Sequence, residues 1–315
     1  MIIELDGDNS SQILKNLESW TLDDSSGTTA DRATLVVHDL ETLPKSGTEY
    51  KIRINGEARG KFQVSAITEK LVPPQITINL TPAKFDVKDE TGWREKRRKT
   101  FPAATITDVV TAVMKPHGYK IRIDKDLANV KTEHLNQTEE TDKHFISRLA
   151  KRYDAIAKPI NGFYVFGKKG NIKTLSGGKK KAVTLTKASM LYGQNDVSYP
   201  SVTRFKGVKA SWRESDTGAH GDIEIGSKPF DRLREPFKSA AQATERAEAR
   251  LIEVTRQGQV LNATVDGTAG LFAEAVLTIE GFNNNRIVAP WSIDEVSLSG
   301  NRKKFTARIK ATRPK

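Results

Sequence analysis

Glu133-His134-Leu135-Asn136-Gln137-Thr138-Glu139-Glu140-Thr141-Asp142-Lys143-His144-Phe145-Ile146-Ser147-Arg148-Leu149-Ala150-Lys151-Arg152-Tyr153 changes its period part-way along. After Thr141, Phe145, Ile146, Leu149 and Tyr153 recur at helical spacing. His144, Arg148, Lys151 and Arg152 surround them, which predicts an amphipathic helix. The acids just upstream place Thr138 to Asp142 in the first turn of that helix, where negative charge complements the helix dipole. A hydrolytic role for these acids, with His134 and His144 beside them, is the weaker alternative. Two carboxylates adjacent in sequence at a helix start do not face one substrate from opposite sides, as glycoside hydrolysis demands.

Upstream, Ile106, Val109, Val110 and Val113 form a second helical stripe. Thr105 is set to cap it with Asp108 at capping-box distance, and Gly118 to end it. Downstream, Ala155-Ile156-Ala157-Lys158-Pro159 and Gly162-Phe163-Tyr164-Val165-Phe166 read as a hairpin turned at Asn161-Gly162. The middle of the chain is therefore expected to be a small α/β unit. Both flanks are strand-like. Toward the N-terminus, Ala33 to His38, Tyr50 to Ile54 and Gln75 to Leu80 alternate apolar and polar residues, with turn signals at Pro44 to Gly47, Asn55-Gly56 and Pro73-Pro74. Toward the C-terminus, strands are expected at Val202 to Trp212, Val260 to Val265, Ala275 to Ile279, Trp291 to Leu298 and Phe305 to Ala311. One helix interrupts them. It has a Ser239/Gln242 capping box, a narrow stripe of Ala240, Ala243, Ala247, Leu251 and Val254, and Gly258 at its end. No short-period repeat is present.

The 315 residues carry a net charge of +12, and 37% of them are hydrophobic. Such a balance suits nucleic acid, an anionic surface or an acidic protein partner, and charge alone does not choose among them. Basic residues gather in Trp93 to Lys99, Lys168 to Lys173 and Gly177 to Lys181, which read as solvated turns or subunit rims. Aromatics do not interleave with these runs as base stacking would require. No apolar run is long enough to span a bilayer, and Met1 to Asp6 has no basic region followed by an apolar stretch, so the chain is expected to be made and kept in a cytoplasm unless a larger machine carries it out.

The absence of cysteine removes disulfides, thiolate metal sites and thiol nucleophiles. His38, His117, His134, His144 and His220 have no partner at metal-ligand spacing. No GxSxG elbow occurs, and Leu175-Ser176-Gly177-Gly178-Lys179-Lys180 lacks the ending and following helix of a phosphate loop. Trp93, Trp212 and Trp291 lie in separate segments and read as core or interface residues. No catalytic residue, cofactor or metal is expected.

Trp93 to Arg98, the helix Thr105 to Gly118 and above all Glu133 to Tyr153 resemble the phage late control gene D proteins. Their hallmark run has Gln-Thr, Glu and Asp before a Phe and an Arg-Leu-Ala helix. Gln137, Thr138, Glu140, Asp142, Phe145, Arg148 and Leu149 match that run, and the likeness extends through Phe205 to Trp212, the helix Ala240 to Val254, and Gly281-Phe282 before Trp291, covering about residues 85 to 312. The resemblance implies a non-enzymatic baseplate hub of a contractile phage tail or a phage-tail-like particle such as a tailocin, similar to the N-terminal part of VgrG spikes. The implied fold class is α+β, mainly β: two tail-tube-like antiparallel β-barrels with a small α/β insert. In that organisation residues 1–88 form the first barrel, completed by strands after 170; residues 89–168 form the insert; and residues 169–315 form the second barrel with helix 239–257. The implied assembly is a homotrimer, a pseudo-sixfold ring joining tail tube protein to tail spike protein, with baseplate wedge proteins and the tape-measure protein as neighbours and no specific nucleic-acid binding. Trp93 and the seven matched residues are expected to be fold framework or interface. Because the sequence stops at Arg313-Pro314-Lys315 without a β-helical extension, the spike is expected on another polypeptide. The alternatives are a nucleic-acid-binding regulator of late genes, suggested by the charge and the family's name, and a tail-tip cell-wall hydrolase using Glu140.

Overall fold

The computed structural model describes residues 2–82, 94–169, 182–193, 195–199, 205–214, 216–234, 236–256 and 258–313. The N-terminal region runs β1 (Ile3–Asp6), α1 (Ser10–Lys15), β2 (Leu17–Ser25), β3 (Arg32–Val37), β4 (Glu49–Ile54), β5 (Glu57–Leu71) and β6 (Pro74–Thr81). Alternation is strict in β4, where Tyr50, Ile52 and Ile54 point inward and Glu49, Lys51 and Arg53 outward. Asn55 at φ 52° and Gly56 at φ 79° make the tight turn into β5. Both central positions of such a turn need positive φ, which these two residue types tolerate best.

The insert comprises β7 (Arg97–Phe101), α2 (Ile106–Met114), β8 (Lys120–Ile123), α3 (Lys125–Ala128), β9 (Leu135–Glu140), α4 (Asp142–Arg152), β10 (Ala155–Ile160) and β11 (Phe163–Lys168). The Thr105/Asp108 capping box forms, and Gly118 closes the helical segment at φ 74°. The stripes of α2 and α4 meet the inner faces of β8, β10 and β11 in a separate apolar core that includes Ile106, Val110, Phe145, Leu149 and Tyr164.

The remaining elements are β12 (Val183–Thr186), β13 (Asp196–Ser198), β14 (Gly207–Arg213), β15 (His220–Gly226), β16 (Phe230–Arg232), α5 (Ala240–Arg256), β17 (Val260–Asp266), β18 (Val276–Glu280), α6 (Asn285–Val288), β19 (Trp291–Gly300) and β20 (Phe305–Thr312). Ala243, Ala247 and Val254 of α5 pack on Val208 and Ala210 of β14, the close approach that small side chains permit.

The two ends of the chain form one sheet. Among the described residues, twelve strands join in the order β1-β4-β5-β6-β3-β2-β19-β20-β17-β13, with β18 and β12 branching from β19. The N-terminal region supplies six of these strands and the C-terminal region six, and they meet where β2 pairs antiparallel with β19. A single apolar cluster runs across the seam, from Ile3, Trp20 and Leu35 to Trp291, Ile309 and Ala311. The fold is α+β and mainly β.

The acidic run departs from expectation. Thr138 to Glu140 are the end of strand β9 and not the first turn of a helix: Leu135 and Gln137 turn inward while Asn136 and Thr138 stay exposed. Helix α4 begins only at Asp142, capped by the Thr141 hydroxyl, which accepts from the His144 amide. The local period of two, together with pairing to β7, outweighs the dipole preference of the acids. Arg97 to Lys99 of the first basic run lie in β7, where Arg98 and Lys99 are exposed. Trp93 lies outside the described residues, as does most of the other two basic runs.

Candidate functional site

The matched residues converge on the corner between β9 and α4. Glu139, at φ 52°, swings the chain out of the strand, and the corner is filled by polar contacts. The Gln137 amide Nε2 donates to the Glu140 carbonyl at 2.9 Å and to Asp142 Oδ1 at 2.8 Å. His117, delivered by the end of the α2 segment, places Nε2 2.8 Å from Asp142 Oδ2, and Arg97 Nη1 of β7 lies 3.7 Å from the same oxygen. Gln137, His117 and Asp142 are all buried. Burial by itself raises the Asp142 carboxyl, but the hydrogen bonds from His117 and Gln137 and the charge of Arg97 outweigh it and hold the group below its usual value.

One helical turn along, Arg148 reaches back over the strand. Its guanidinium meets the Glu140 carboxylate at 2.5 Å through Nη2 and 3.2 Å through Nε, donates to the Asn136 carbonyl at 2.8 Å, and lies 5.3 Å from the Phe145 ring. Phe145 stacks on Phe101 with ring centroids 4.9 Å apart. Leu149 is buried beside them, and Thr138 is exposed. The arrangement is a strut: Gln137, Glu140, Asp142 and Arg148 direct their hydrogen bonds to one another and to the backbone, and Glu140 is engaged as an ion-pair partner of Arg148. Among the described residues no group of three or more His, Asp or Glu side chains is placed to hold a metal ion.

A second cluster ties the insert to the sheet. Lys158 of β10 is buried, and its ammonium donates to Asp24 at 3.1 Å, to the Ser25 carbonyl at 2.6 Å and to Asp31 at 2.5 Å. Asp24 also accepts from the Ala273 amide at 2.9 Å, which brings in the C-terminal region. Two carboxylates share one ammonium here. Burial and the Asp24 charge push Asp31 up to about 7, against the pull of Lys158. Close by, Arg256 pairs with Asp154 at 2.9 Å, joining α5 to the insert. Sequence patterning singled out none of His117, Lys158, Asp24 or Asp31. The available signal was Lys158, the one charge in the apolar run 155–160.

At the seam between the halves, the outer face of the sheet is polar. Ser297 of β19 donates to Asp23 of β2 at 2.6 Å. Asp23, Thr264, Ser297, Arg308 and Lys310 line a depression of about 810 Å³ there.

No protein-family model matches the chain. The probable baseplate hub protein of Escherichia phage 186 is 23% identical over 356 aligned positions, covering 96% of this chain and 90% of that protein. The chain is thus a relative of phage baseplate hub proteins. The corresponding protein of Escherichia phage P2 is 27% identical over 214 residues, 65% of this chain, and the match spans about half (54%) of the P2 protein's length. Among solved structures, the 43 kDa tail protein of prophage MuSo2 from Shewanella oneidensis superposes with a TM-score of 0.73 at 15% identity, covering 99% of this chain and 98% of that one. A tail protein from Neisseria meningitidis gives 0.72 at 13% identity, covering 99% and 96%. A type VI secretion component of E. coli gives 0.64 at 10% identity, covering 99% of this chain and 77% of that one. The fold of this baseplate-hub relative is that of phage tail proteins.

Proposed function

We propose that the chain acts as a structural, non-enzymatic baseplate hub, three copies of which close into a pseudo-hexameric ring joining the tail tube to the central spike of a contractile phage tail or phage-tail-like particle. The observation that carries this is the six-plus-six strand sheet. Each end of the chain contributes one six-stranded half, and the halves meet edge to edge at β2 and β19. Two tube-like units per chain, taken three times, present six similar surfaces to a hexameric tube, which is how a trimer matches a sixfold neighbour. The polar outer face, with Thr21 opposite both Thr34 and Ser299, suits the wall of an aqueous channel. The insert, braced by the Gln137–Asp142–Arg148 strut, stands beside this ring as the element that meets the baseplate wedge or the tape-measure protein. Assembly takes place in the host cytoplasm.

The experiment is a light-scattering mass of the purified chain with spike or tube protein added. Three hub chains per complex are expected. A stable dimer in the presence of spike rules the ring out.

A further inference from the structure

A cleft of about 860 Å³ opens between the end of α4, the β2–β3 loop and α5. Its walls carry five cationic side chains, Lys151, Lys169, Arg234, Arg246 and Arg250, and two carboxylates, Asp154 and Glu253. The carboxylates are already engaged: Glu253 with Arg250 at 2.7 Å and Asp154 with Arg256 at 2.9 Å. Arg250 also holds Asp231 at 2.7 Å, and Lys169 lies 3.8 Å from Asp294. Lys151, Arg234 and Arg246 therefore remain without a salt bridge among the described residues.

Arg246 is the focus of this surplus. It is half-buried on α5, its guanidinium 5.8 Å from the Phe237 ring. Burial and the neighbouring charges of Arg152 and Arg148 bring it down to about 10, against the smaller opposing pull of Tyr153 and Glu245. Like charges held together away from water raise the free energy of the chain by itself, and an anion arriving from outside relieves them.

We propose that this cleft is a docking site for an acidic peptide segment of a partner protein, with one carboxylate pairing to Arg246 and others to Lys151 and Arg234 at the rim. A flat carboxylate matches the guanidinium fork. The volume falls in the range of pockets that enclose a few side chains. A nucleic acid fits less well, because the described lining offers a single aromatic ring, Phe237, which faces the Arg246 guanidinium, whereas strand binding stacks successive bases on several rings. The occupant would bridge the β2–β3 loop, the insert and α5. Its affinity stands on the charges of this cleft and is independent of the hub role.

The test uses the full chain and a fluorescently labelled hexaglutamate peptide, read by anisotropy. Saturable binding that weakens with added salt is expected. Arg246→Gln should weaken it about tenfold, the loss of one bidentate charge-assisted contact. Arg246→Lys should fall between, and Lys303→Gln on the distant β19–β20 turn should bind like the unmodified chain. Arg246→Gln should also melt no lower than the unmodified chain, since it relieves like-charge repulsion. If it does melt lower, the exposed Arg234→Gln, expected to weaken binding about threefold, decides the question. Absence of saturable binding overturns the site, as does equal binding by Arg246→Gln and Lys303→Gln. Arg246-dependent binding of an oligothymidylate tighter than that of the peptide overturns the peptide assignment.

Discussion

In the large sheet, Trp20, Leu35, Ile78, Trp291 and Ile293 are all at most 1% exposed, and the two indole N–H groups donate to the carbonyls of Asn301 and Ile287. In the insert, a comparable depth is given to Gln137, His117 and Asp142, which bond to one another. The two regions fail differently. Removing a side chain from the sheet core leaves a void among apolar neighbours, with a cost set by lost contacts and cavity size. Removing one member of the insert's network leaves its partners buried and unsatisfied, with a cost set by desolvation. Apolar packing can hold a broad seam such as β2–β19 without demanding one local geometry. A directional network fixes a single corner, here the turn from β9 into α4.

The largest break should come from the sheet. Trp291→Ala is expected to lose about 3–5 kcal/mol of unfolding free energy in denaturant titrations followed by circular dichroism. In the insert, Asp142→Ala should lose about 2–3 kcal/mol by removing the buried acceptor that Gln137 and His117 share. The same carboxylate gives the insert an acid dependence. Its folded pKa is lowered, so its contribution is present above the ordinary value of 3.8 and lost as pH falls through the lower folded value. Melting curves of Asp142→Asn should accordingly be flatter than those of the unmodified chain in acid.

The junction of the two regions has the opposite sign. Asp31 is pushed up from 3.8 to about 7, so the folded chain binds an extra proton between those two values. Stability there falls as pH rises through that window, on the order of 1–3 kcal/mol, and Asp31→Asn should remove the slope when melting temperatures in mildly acidic and mildly alkaline buffer are compared. The smallest effect is expected at the rim. Arg98→Ala breaks an exposed ion pair with Glu139. Such a loss should change stability by about 0.5 kcal/mol or less in the same denaturant titrations.

Local features were legible in the sequence because local chemistry determines them. The Thr105/Asp108 box, the Asn55-Gly56 and Asn161-Gly162 turns, and the small-residue stripe of α5 each need only residues a few positions apart. The seam was not legible, since Leu22 and Leu298 become cross-strand partners only once both ends of the chain are in place. The run Thr138 to Glu140 misled for a related reason: its acids favour a helix start, but the strand is fixed by Gln137 bonding inward to Asp142, whose carboxylate is held in turn by the His117 imidazole from another element. Arg246 carried no mark at all within a helix rich in Ala, Glu and Arg, and its place beside Arg148 and Arg152 emerges only when α5 is laid against the insert.

In the proposed assembly one chain supplies two tube-like surfaces to a threefold ring at the end of a tail tube. Cryo-electron microscopy of the assembled particle tests it most directly. Density for three copies at the tube terminus, each placing its N-terminal and C-terminal half-sheets against successive tube subunits, is the predicted result. Six copies each using one half, or no copy at the tube terminus, would contradict it.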